Sequence, residues 1–494
     1  MDTLGFDNKL YADMQRKAIL ARIGKSGERL YLEFGGKLFD DMHAARVLPG
    51  FDSAAKIKLL QALKNKLEII ITVSAKDLDR GKVRADSGIN YGLDVLRLID
   101  AFRSRGLLVR SVVVTQFKDQ PAADAFKNKL QRRGEQVHIH YKTKGYPTDI
   151  DTIISDEGYG KNPYIECSRP LVVVTAPGPG SGKLATCLCQ MYHEQKRGIN
   201  AGYAKFETFP VWNLPLKHPV NLAYEAATAD IKDVNQIDIY HLEAYGKASV
   251  NYNRDIEVFP LVRSILHKIT GGIPYKSPTD MGVNKVGFAI KDDGVVSRAA
   301  KQEIIRRYFK ARCEYLSGGS EYGAVEKIEL LMSEAGISVS DRKCVAAALE
   351  RAQAVNVPVV AVEINLGNII TGRQNKLLSA AASAILNAVK RLANIPDEIN
   401  LISPVVIEPI TKMKHVVLDM ADEALSLDEV LIALSISAAT NPTAELALKQ
   451  LPLLAGLEAH SSCIMKPRDE SAMKKLKINV TMQPEFEGTN LFNE

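Results

Sequence analysis

The sequence predicts an α/β protein with a mainly parallel sheet in its N-terminal domain, and three observations carry this prediction. The chain has 494 residues, a length that suggests about three domains. Up to residue 209, short runs rich in β-branched residues alternate with segments of helical spacing, which is typical of strands joined by helices. One of these runs leads into a glycine-rich loop and then a helix, a connection that can bind phosphate.

Six apolar runs are predicted as strands because β-branched and aromatic residues suit a buried, pleated surface. They are Leu30–Phe34, Leu67–Val73, Val109–Phe117, Val137–Tyr141, Leu171–Thr175 and Ala201–Phe209. The intervening segments with helical spacing predict helices over Ser53–Lys66, Tyr91–Arg105, Pro121–Arg133 and Gly182–Arg197. Because helices separate most of these strands, we expect them to cover both faces of a parallel sheet.

The pattern changes twice further along the chain, which predicts three domains. Residues 1–235 form the α/β domain with the glycine-rich loop, residues 236–335 a mainly helical domain, and residues 336–494 a C-terminal α/β domain. In the last domain, strands are predicted at Val357–Ile364, Asn400–Ile407 and Lys477–Met482. The glycine-containing segment 365–376 is predicted as a loop that could hold an anion.

Composition and charge exclude several classes of protein. The net charge is +6, too small over this length to predict a nucleic-acid or membrane-surface partner. The N-terminus lacks an apolar signal-peptide core, and no apolar run is long enough to cross a bilayer. The six cysteines are sparse, show no metal-ligand spacing and fit a reducing compartment. We therefore expect a cytoplasmic protein, with homo-oligomer formation as the base-rate expectation.

The glycine-rich loop is the segment that most clearly indicates chemistry, within LVVVTAPGPGSGKLAT. Glycine tolerates positive φ and lets backbone N–H groups approach an anion. This predicts a phosphate cradle made by Gly178, Gly180, Ser181 and Gly182. The N-terminus of the following helix adds a partial positive charge. Lys183 adds a full positive charge that can reach the outer phosphates.

The loop departs from the phosphate-loop pattern G-x-x-x-x-G-K-[ST] at two positions. Pro177 stands where the first glycine would be, and Leu184 replaces the hydroxyl residue after the lysine. Loss of that hydroxyl removes the usual magnesium ligand. Thr186 cannot replace it, because two residues along a helix are about 200° apart around the axis. The use of magnesium and the identity of the cofactor stay open, with a nucleotide as one candidate.

Two residues outside the loop are candidates for further roles. Glu207 lies near the end of the next predicted strand, where the acidic residue of a dinucleotide site binds a ribose hydroxyl. The glycines run G-x-G-x-G rather than G-x-G-x-x-G, so the spacing fits a dinucleotide site less well. His218 lies in a proline-rich loop expected at the same edge of the sheet, and it is a candidate acid or base.

Four segments also resemble a bacterial family of conserved hypothetical proteins. They are FGGKLFDD from Phe34, GPGSGKLAT from Gly178, GYAKFETFPVWNLPLKHPVNLAYEAATAD from Gly202 and SPTDMGVN from Ser277. The resemblance extends over nearly the whole chain and implies a cytosolic bacterial protein with an α/β domain, a helical region and a C-terminal domain. The family is described as a domain of unknown function, so the resemblance implies no reaction and no catalytic residue.

The residues themselves favour an enzyme that acts on a nucleotide or another phosphorylated small molecule by phosphoryl transfer or hydrolysis. Its catalytic candidates are Lys183, which would stabilise phosphate charge, and His218. An NAD(P)-linked oxidoreductase with Glu207 on the ribose is one alternative. A non-catalytic regulatory or scaffold protein, in which the glycines of the loop serve only packing, is the other. No nucleic-acid or membrane partner is predicted.

Overall fold

The computed structural model describes residues 4–84, 88–365, 367–420 and 424–488. Its strands are β1 (Arg29–Phe34), β2 (Leu67–Ser74), β3 (Leu108–Phe117), β4 (Val137–Tyr141), β5 (Leu171–Thr175), β6 (Ala201–Phe206), β7 (Asn235–Ile237), β8 (Val250–Tyr252), β9 (Gly282–Val283), β10 (Val359–Asn365), β11 (Asn368–Arg373), β12 (Glu458–Ser461) and β13 (Asn479–Met482).

Helices connect most of these strands. They are α1 (Asn8–Lys25), α2 (Met42–Val47), α3 (Ala55–Ala62), α4 (Ala75–Asp79), α5 (Tyr91–Arg103), α6 (Pro121–Arg132), α7 (Ile150–Ile153), α8 (Lys183–Lys196), α9 (Pro219–Ala227), α10 (Ile239–Tyr245), α11 (Asn253–Thr270), α12 (Pro278–Met281), α13 (Asp293–Leu316), α14 (Gly323–Ala335), α15 (Lys343–Val355), α16 (Ala380–Leu392), α17 (Pro404–Lys412), α18 (Leu427–Ala438), α19 (Pro442–Leu448) and α20 (Pro467–Lys475). Among the described residues, no helix is both long enough and apolar enough to cross a bilayer.

Seven parallel strands form one sheet in the order β4-β3-β2-β5-β1-β6-β9. Strands β2 and β5 are buried along their whole length because helices cover both faces of the sheet. One face packs against α1, α3, α5 and α6, and the other packs against α8 and α11. The predicted α/β fold with a mainly parallel sheet is therefore confirmed, and all six strands predicted in this region belong to the sheet.

The connections that follow the neighbouring strands β1 and β5 run towards opposite edges of this sheet. From β1 it passes through α2 and α3 to β2 and continues to β3 and β4, towards one edge. From β5 it passes through α8 to β6, towards the other edge. Strands β1 and β5 are neighbours, and the connection from β1 packs on one face of the sheet through α3 whereas that from β5 packs on the other through α8, so the loops that leave their carboxyl ends diverge to opposite faces. Such divergent loops leave a crevice in which open α/β sheets bind ligands.

The described residues form two compact units. The first comprises residues 1–225 and 233–300 and contains the parallel sheet and the antiparallel pair β7–β8. The second comprises residues 226–232 and 301–494 and contains the mixed sheet β11-β10-β12-β13. In the second unit, α15 packs on one face of the sheet and α16 on the other.

Two secondary-structure predictions for the second unit are wrong. Residues 400–407 were expected to form a strand, but α17 begins at Pro404 after the extended Ser403. Proline suits the first turn of a helix and cannot donate a hydrogen bond to a strand partner. Residues 365–376 were expected to form a loop, but β11 lies within them and pairs antiparallel with β10. Tertiary pairing outweighs the loop-forming composition of this segment.

Candidate functional site

The glycine-rich loop joins β5 to α8 at the carboxyl edge of the parallel sheet, beside β1. Gly180 and Gly182 have φ values of 73° and 81°, in the left-handed region that favours glycine. A Cβ atom on Gly182 would lie 2.9 Å from Thr115 Oγ1. A Cβ atom on Gly178 would lie 2.1 Å from the Tyr91 hydroxyl oxygen. Glycine is therefore required here for conformation and for close packing.

Side chains hold the carbonyl groups of this loop. Between residues 177 and 182, five backbone carbonyl oxygens accept side-chain hydrogen bonds of 2.8–3.3 Å. They are those of Pro177, Gly178, Gly180, Ser181 and Gly182. The donors are the side chains of Arg84, Ser181, Gln116, Thr115 and Thr186. The hydroxyl of Ser181 is thus used inside the loop. These bonds fix the peptide orientations before any ligand binds.

Several amide groups of the loop have no acceptor among the described residues. Among the described residues, the backbone N–H groups of Gly180, Gly182, Lys183 and Leu184 donate to no acceptor within the protein. The last three belong to the start of α8, where intrahelical acceptors are missing and the helix carries a partial positive charge. Unpaired amides gathered at a helix N-terminus are a typical anion-binding arrangement.

Lys183 is the first residue of α8, and within the described part of the chain its side chain makes no hydrogen bond or ion pair. Burial lowers the pKa of Lys183, the nearby Glu33 carboxylate opposes this shift, and the positive charges of Lys205 and Arg254 add to it. An ammonium group with no fixed partner can turn to an arriving anion without first breaking an ion pair.

Glu33 is the acidic residue that lies next to the loop. It belongs to β1, the strand between β5 and β6, and it pairs in register with Lys205 of β6. Glu33 is 9% exposed, and its Oε2 accepts a hydrogen bond of 2.8 Å from the Tyr203 hydroxyl. Its Oε1 accepts no hydrogen bond from the described residues. A carboxylate with one free oxygen therefore faces the neighbourhood of Lys183.

A buried cluster of charges lies at the carboxyl end of β6. Lys205 contacts the Asp255 carboxylate and the Tyr252 hydroxyl, and its Nζ lies 3.2 Å from Glu207 Oε1. Although burial opposes the shift, Asp255 and the other neighbours raise the pKa of Lys205 well above its usual range. Burial raises the pKa of Glu207 to about 7; the charge of Lys205 opposes this and that of Asp255 adds to it.

The raised pKa of Glu207 predicts a pH-dependent contribution to stability. The folded-state pKa of about 7 exceeds the ordinary value of 4.5, so folding favours the protonated carboxyl group. This contribution is complete below pH 4.5 and is lost as the pH rises to 7. The free energy of unfolding of Glu207→Gln minus that of the wild type should therefore be larger at pH 8 than at pH 5, by about 1–3 kcal/mol.

Urea unfolding at the two pH values measures this difference. The exposed Glu398→Gln is the control and should track the wild type at both values. A stability difference between Glu207→Gln and the wild type that does not change with pH would contradict the assignment.

The position of Glu207 does not favour the dinucleotide interpretation. The ribose-binding acid of a dinucleotide site lies at the end of the strand next to the glycine-rich loop. Here β1 separates β6 from β5, so Glu33 rather than Glu207 has that position. The side chain of Glu207 is only 10% exposed and is engaged by Lys205. The oxidoreductase alternative stays a prediction without support from this geometry.

His218 has contacts that indicate a structural role just before α9. Its Nδ1 accepts a hydrogen bond of 3.2 Å from the Val220 amide. Because Nδ1 accepts this bond, a proton is assigned to Nε2, which lies 2.9 Å from Asp293 Oδ1 and can donate to it. None of these contacts is with the glycine-rich loop, so the catalytic role of His218 stays a prediction.

Replacement of His218 should affect stability and leave anion binding unchanged. His218→Ala removes the hydrogen bonds to Val220 and Asp293, at a cost of about 1 kcal/mol each or less. We expect a lower melting temperature and a pyrophosphate affinity within about twofold of the wild type. A loss of affinity with an unchanged melting temperature would instead support the catalytic assignment.

Sequence reasoning missed several residues of this site. Tyr91, Thr115 and Gln116 reach the loop from α5 and β3, and nothing in their local sequence indicates this. Glu33 gave a weak signal, because it is an acidic residue at the end of a predicted strand and precedes a Gly-Gly-Lys turn. Its importance depends on β1 being the neighbour of β5, which the order of segments along the chain does not reveal.

Comparison with known proteins gives the same family over both parts of the chain. Residues 4–336 match the family described as "Domain of unknown function DUF1846, N-terminal", and residues 340–492 match its C-terminal counterpart. The chain is 55% identical over 498 residues to a UPF0371 protein of Clostridium botulinum (strain Alaska E43 / Type E3), covering 99% of each chain. It is 57% identical, with the same coverage, to a UPF0371 protein of Clostridium botulinum (strain Langeland / NCTC 10281 / Type F). The chain therefore belongs to the bacterial DUF1846 family, as its resemblance to a family of conserved hypothetical proteins implied.

Proposed function

We propose that this protein binds the phosphate group of a nucleotide or another phosphorylated small molecule at its glycine-rich loop, and that it catalyses phosphoryl transfer or hydrolysis. The observation that supports binding most directly is the set of unpaired amides at Gly180, Gly182, Lys183 and Leu184. Because side chains already hold the carbonyl groups of the loop, these amides need little rearrangement to meet an anion, which favours affinity.

Lys183 supports the catalytic part of the proposal. Its ammonium group has no fixed partner within the described residues, and the residue is the first of α8, next in sequence to the unpaired amides. Phosphoryl transfer and phosphate hydrolysis both develop negative charge on the phosphoryl oxygens, and stabilisation of that charge is the main contribution of the protein. Lys183 would supply this stabilisation without covalent chemistry.

Titration calorimetry with pyrophosphate, ATP and glucose 6-phosphate tests the binding site. Lys183→Ala removes a charge-assisted hydrogen bond and should weaken binding by at least about tenfold. Lys196→Ala is the matched control, because Lys196 lies at the other end of the same helix and is well exposed. Failure of the wild-type protein to bind any of the three ligands would contradict the proposal, as would equal affinities for the wild type and Lys183→Ala.

Turnover distinguishes an enzyme from the non-catalytic alternative. If a ligand binds, release of inorganic phosphate or transfer of labelled phosphate should depend on Lys183. Binding without turnover of any bound ligand would favour a regulatory or scaffold protein that senses a phosphorylated molecule.

The state of the cysteines supports the cytoplasmic location that is part of this proposal. All six cysteines are buried and carry free thiols. Buried free thiols persist in a reducing compartment.

A further inference from the structure

We propose that Glu33 holds a divalent cation that bridges to the phosphate group at the glycine-rich loop. This inference rests on the proposed function, since the bound phosphate supplies the other cation ligands. It adds a metal site to a loop whose sequence lacks the hydroxyl residue that usually binds magnesium.

The topology puts the carboxylate of Glu33 on the correct side of the sheet. Tyr31 precedes Glu33 by two residues on β1, and Tyr203 precedes the paired Lys205 by two on β6, so each pair shares a face. Both tyrosines pack in the same core as Cys187 and Leu188 of α8. The side chain of Glu33 therefore lies on the face covered by α8. In phosphate-loop proteins, a carboxylate from another strand helps to hold the cation beside such a helix.

One carboxylate oxygen of Glu33 has no hydrogen-bond donor among the described residues. Oε2 of Glu33 is taken by the Tyr203 hydroxyl, whereas Oε1 accepts no hydrogen bond from the described residues. The residue is only 9% exposed. Oε1 is not one of the fully buried side-chain oxygens that lack a partner, so solvent reaches it. A cation can therefore bind Oε1 without displacing a protein donor.

The surrounding charges explain why a cation is needed when phosphate binds. The nearby ammonium group of Lys183 offsets the charge of Glu33. The other close cation, Lys205, is already engaged by Asp255. Once phosphate attracts Lys183, Glu33 faces two or more negative charges at short range. A divalent cation between the carboxylate and the phosphate turns this repulsion into attraction.

The small number of protein ligands makes the site depend on phosphate. Within the part of the chain that the structure describes, no three His, Cys, Asp or Glu side chains form a metal-binding group. Magnesium commonly binds through one or two carboxylates, substrate phosphates and water. Glu33 would therefore bind the cation weakly alone and firmly together with phosphate.

Calorimetry with pyrophosphate in excess magnesium or in EDTA tests this coupling. For the wild type, magnesium should raise the affinity for pyrophosphate by at least about tenfold. Glu33→Gln should lose this enhancement. Its metal-free affinity should equal or exceed that of the wild type, because the amides and Lys183 remain and the repulsion between Glu33 and the phosphate is removed. The glutamine still offers an oxygen to the Tyr203 hydroxyl, so the fold should be preserved. Glu363→Gln, on β10 in the second unit, is the matched control and should behave as the wild type.

The outcomes separate this inference from the proposed function. Equal pyrophosphate affinities with and without magnesium in the wild type overturn the cation site and leave the phosphate site standing. An undiminished enhancement in Glu33→Gln overturns the role of Glu33. Failure of the wild type to bind pyrophosphate in either condition overturns both. If Glu33→Gln does not fold, paramagnetic resonance of Mn²⁺ with the wild type decides, with protein-free Mn²⁺ and pyrophosphate as the reference. A protein-dependent Mn²⁺ signal that requires pyrophosphate supports the site, and a signal identical to the protein-free reference overturns it.

Discussion

Gly182→Ala is expected to weaken pyrophosphate binding by about tenfold to a hundredfold, which corresponds to one lost charge-assisted hydrogen bond. The residue has a φ of 81°, and a Cβ atom there would lie 2.9 Å from Thr115 Oγ1 and 3.0 Å from Thr115 Cβ. An alanine can relieve this contact only by rotating the peptide or by pushing β3 away. Either movement changes the direction of the Gly182 and Lys183 amides.

The same substitution should destabilise the protein. The left-handed backbone costs an alanine about 1–2 kcal/mol, and the close contact with Thr115 adds about 1–3 kcal/mol. Gly180→Ala is the matched control, since Gly180 has a φ of 73° and no atom lies within 4 Å of its added Cβ. It should show the backbone cost alone and keep most of the pyrophosphate affinity. Calorimetry and urea unfolding measure the two effects.

Equal losses of affinity for Gly180→Ala and Gly182→Ala would contradict this account. Such a result would mean that backbone conformation alone, and not the contact with Thr115, sets the orientation of the amides. Full affinity in both variants would contradict the phosphate site itself.

The strands and the loop of the first unit could be predicted because their signals are local. Leu67–Ser74 and Leu171–Thr175 are apolar runs buried on both faces, and such runs are characteristic of central parallel strands. The left-handed glycines at the start of α8 also leave a local signal. Six strands of the parallel sheet were predicted for these reasons, with differences of a few residues at their ends.

The partners of the loop could not be predicted because they depend on the strand order. Glu33 precedes Lys183 by a long stretch of chain, yet β1 lies beside β5. Thr115 and Gln116 reach the loop from β3, which is separated from β5 by β2. No periodicity or spacing encodes these neighbours, since they follow from how whole strands pack.

The second unit was harder to predict because its elements depend on tertiary packing. Residues 400–407 contain enough β-branched residues to indicate a strand, but Pro404 starts a helix there. Residues 368–373 contain asparagine and glycine, which indicate a loop, but Ile369, Ile370 and Thr371 pair with β10. From the sequence, Gly372 is predicted to belong to a loop that could hold an anion. In the structure, it is the point where β11 approaches α16.

Gly372→Ala is expected to lower the free energy of unfolding of the second unit by about 3 kcal/mol or more. A Cβ atom on Gly372 would lie 2.0 Å from the Ala384 backbone nitrogen and 2.5 Å from the Ser383 carbonyl carbon. Backbone atoms inside α16 cannot move away singly, so the helix must separate from β11 as a whole. That separation would stretch the hydrogen bond of 3.0 Å from Asn387 Nδ2 to the Thr371 carbonyl oxygen and open the apolar core beneath α16.

Urea unfolding and hydrogen exchange test this expectation against Gly323→Ala, another glycine of the second unit. Gly323 is the first residue of α14, and no atom lies within 4 Å of its added Cβ. Alanine is the better helix former, so Gly323→Ala should be neutral or stabilising by up to about 1 kcal/mol. In Gly372→Ala, faster amide exchange should be confined to the second unit and be greatest in β11 and α16. Unchanged stability and unchanged exchange in these elements would mean that the approach of β11 to α16 is looser than these distances require.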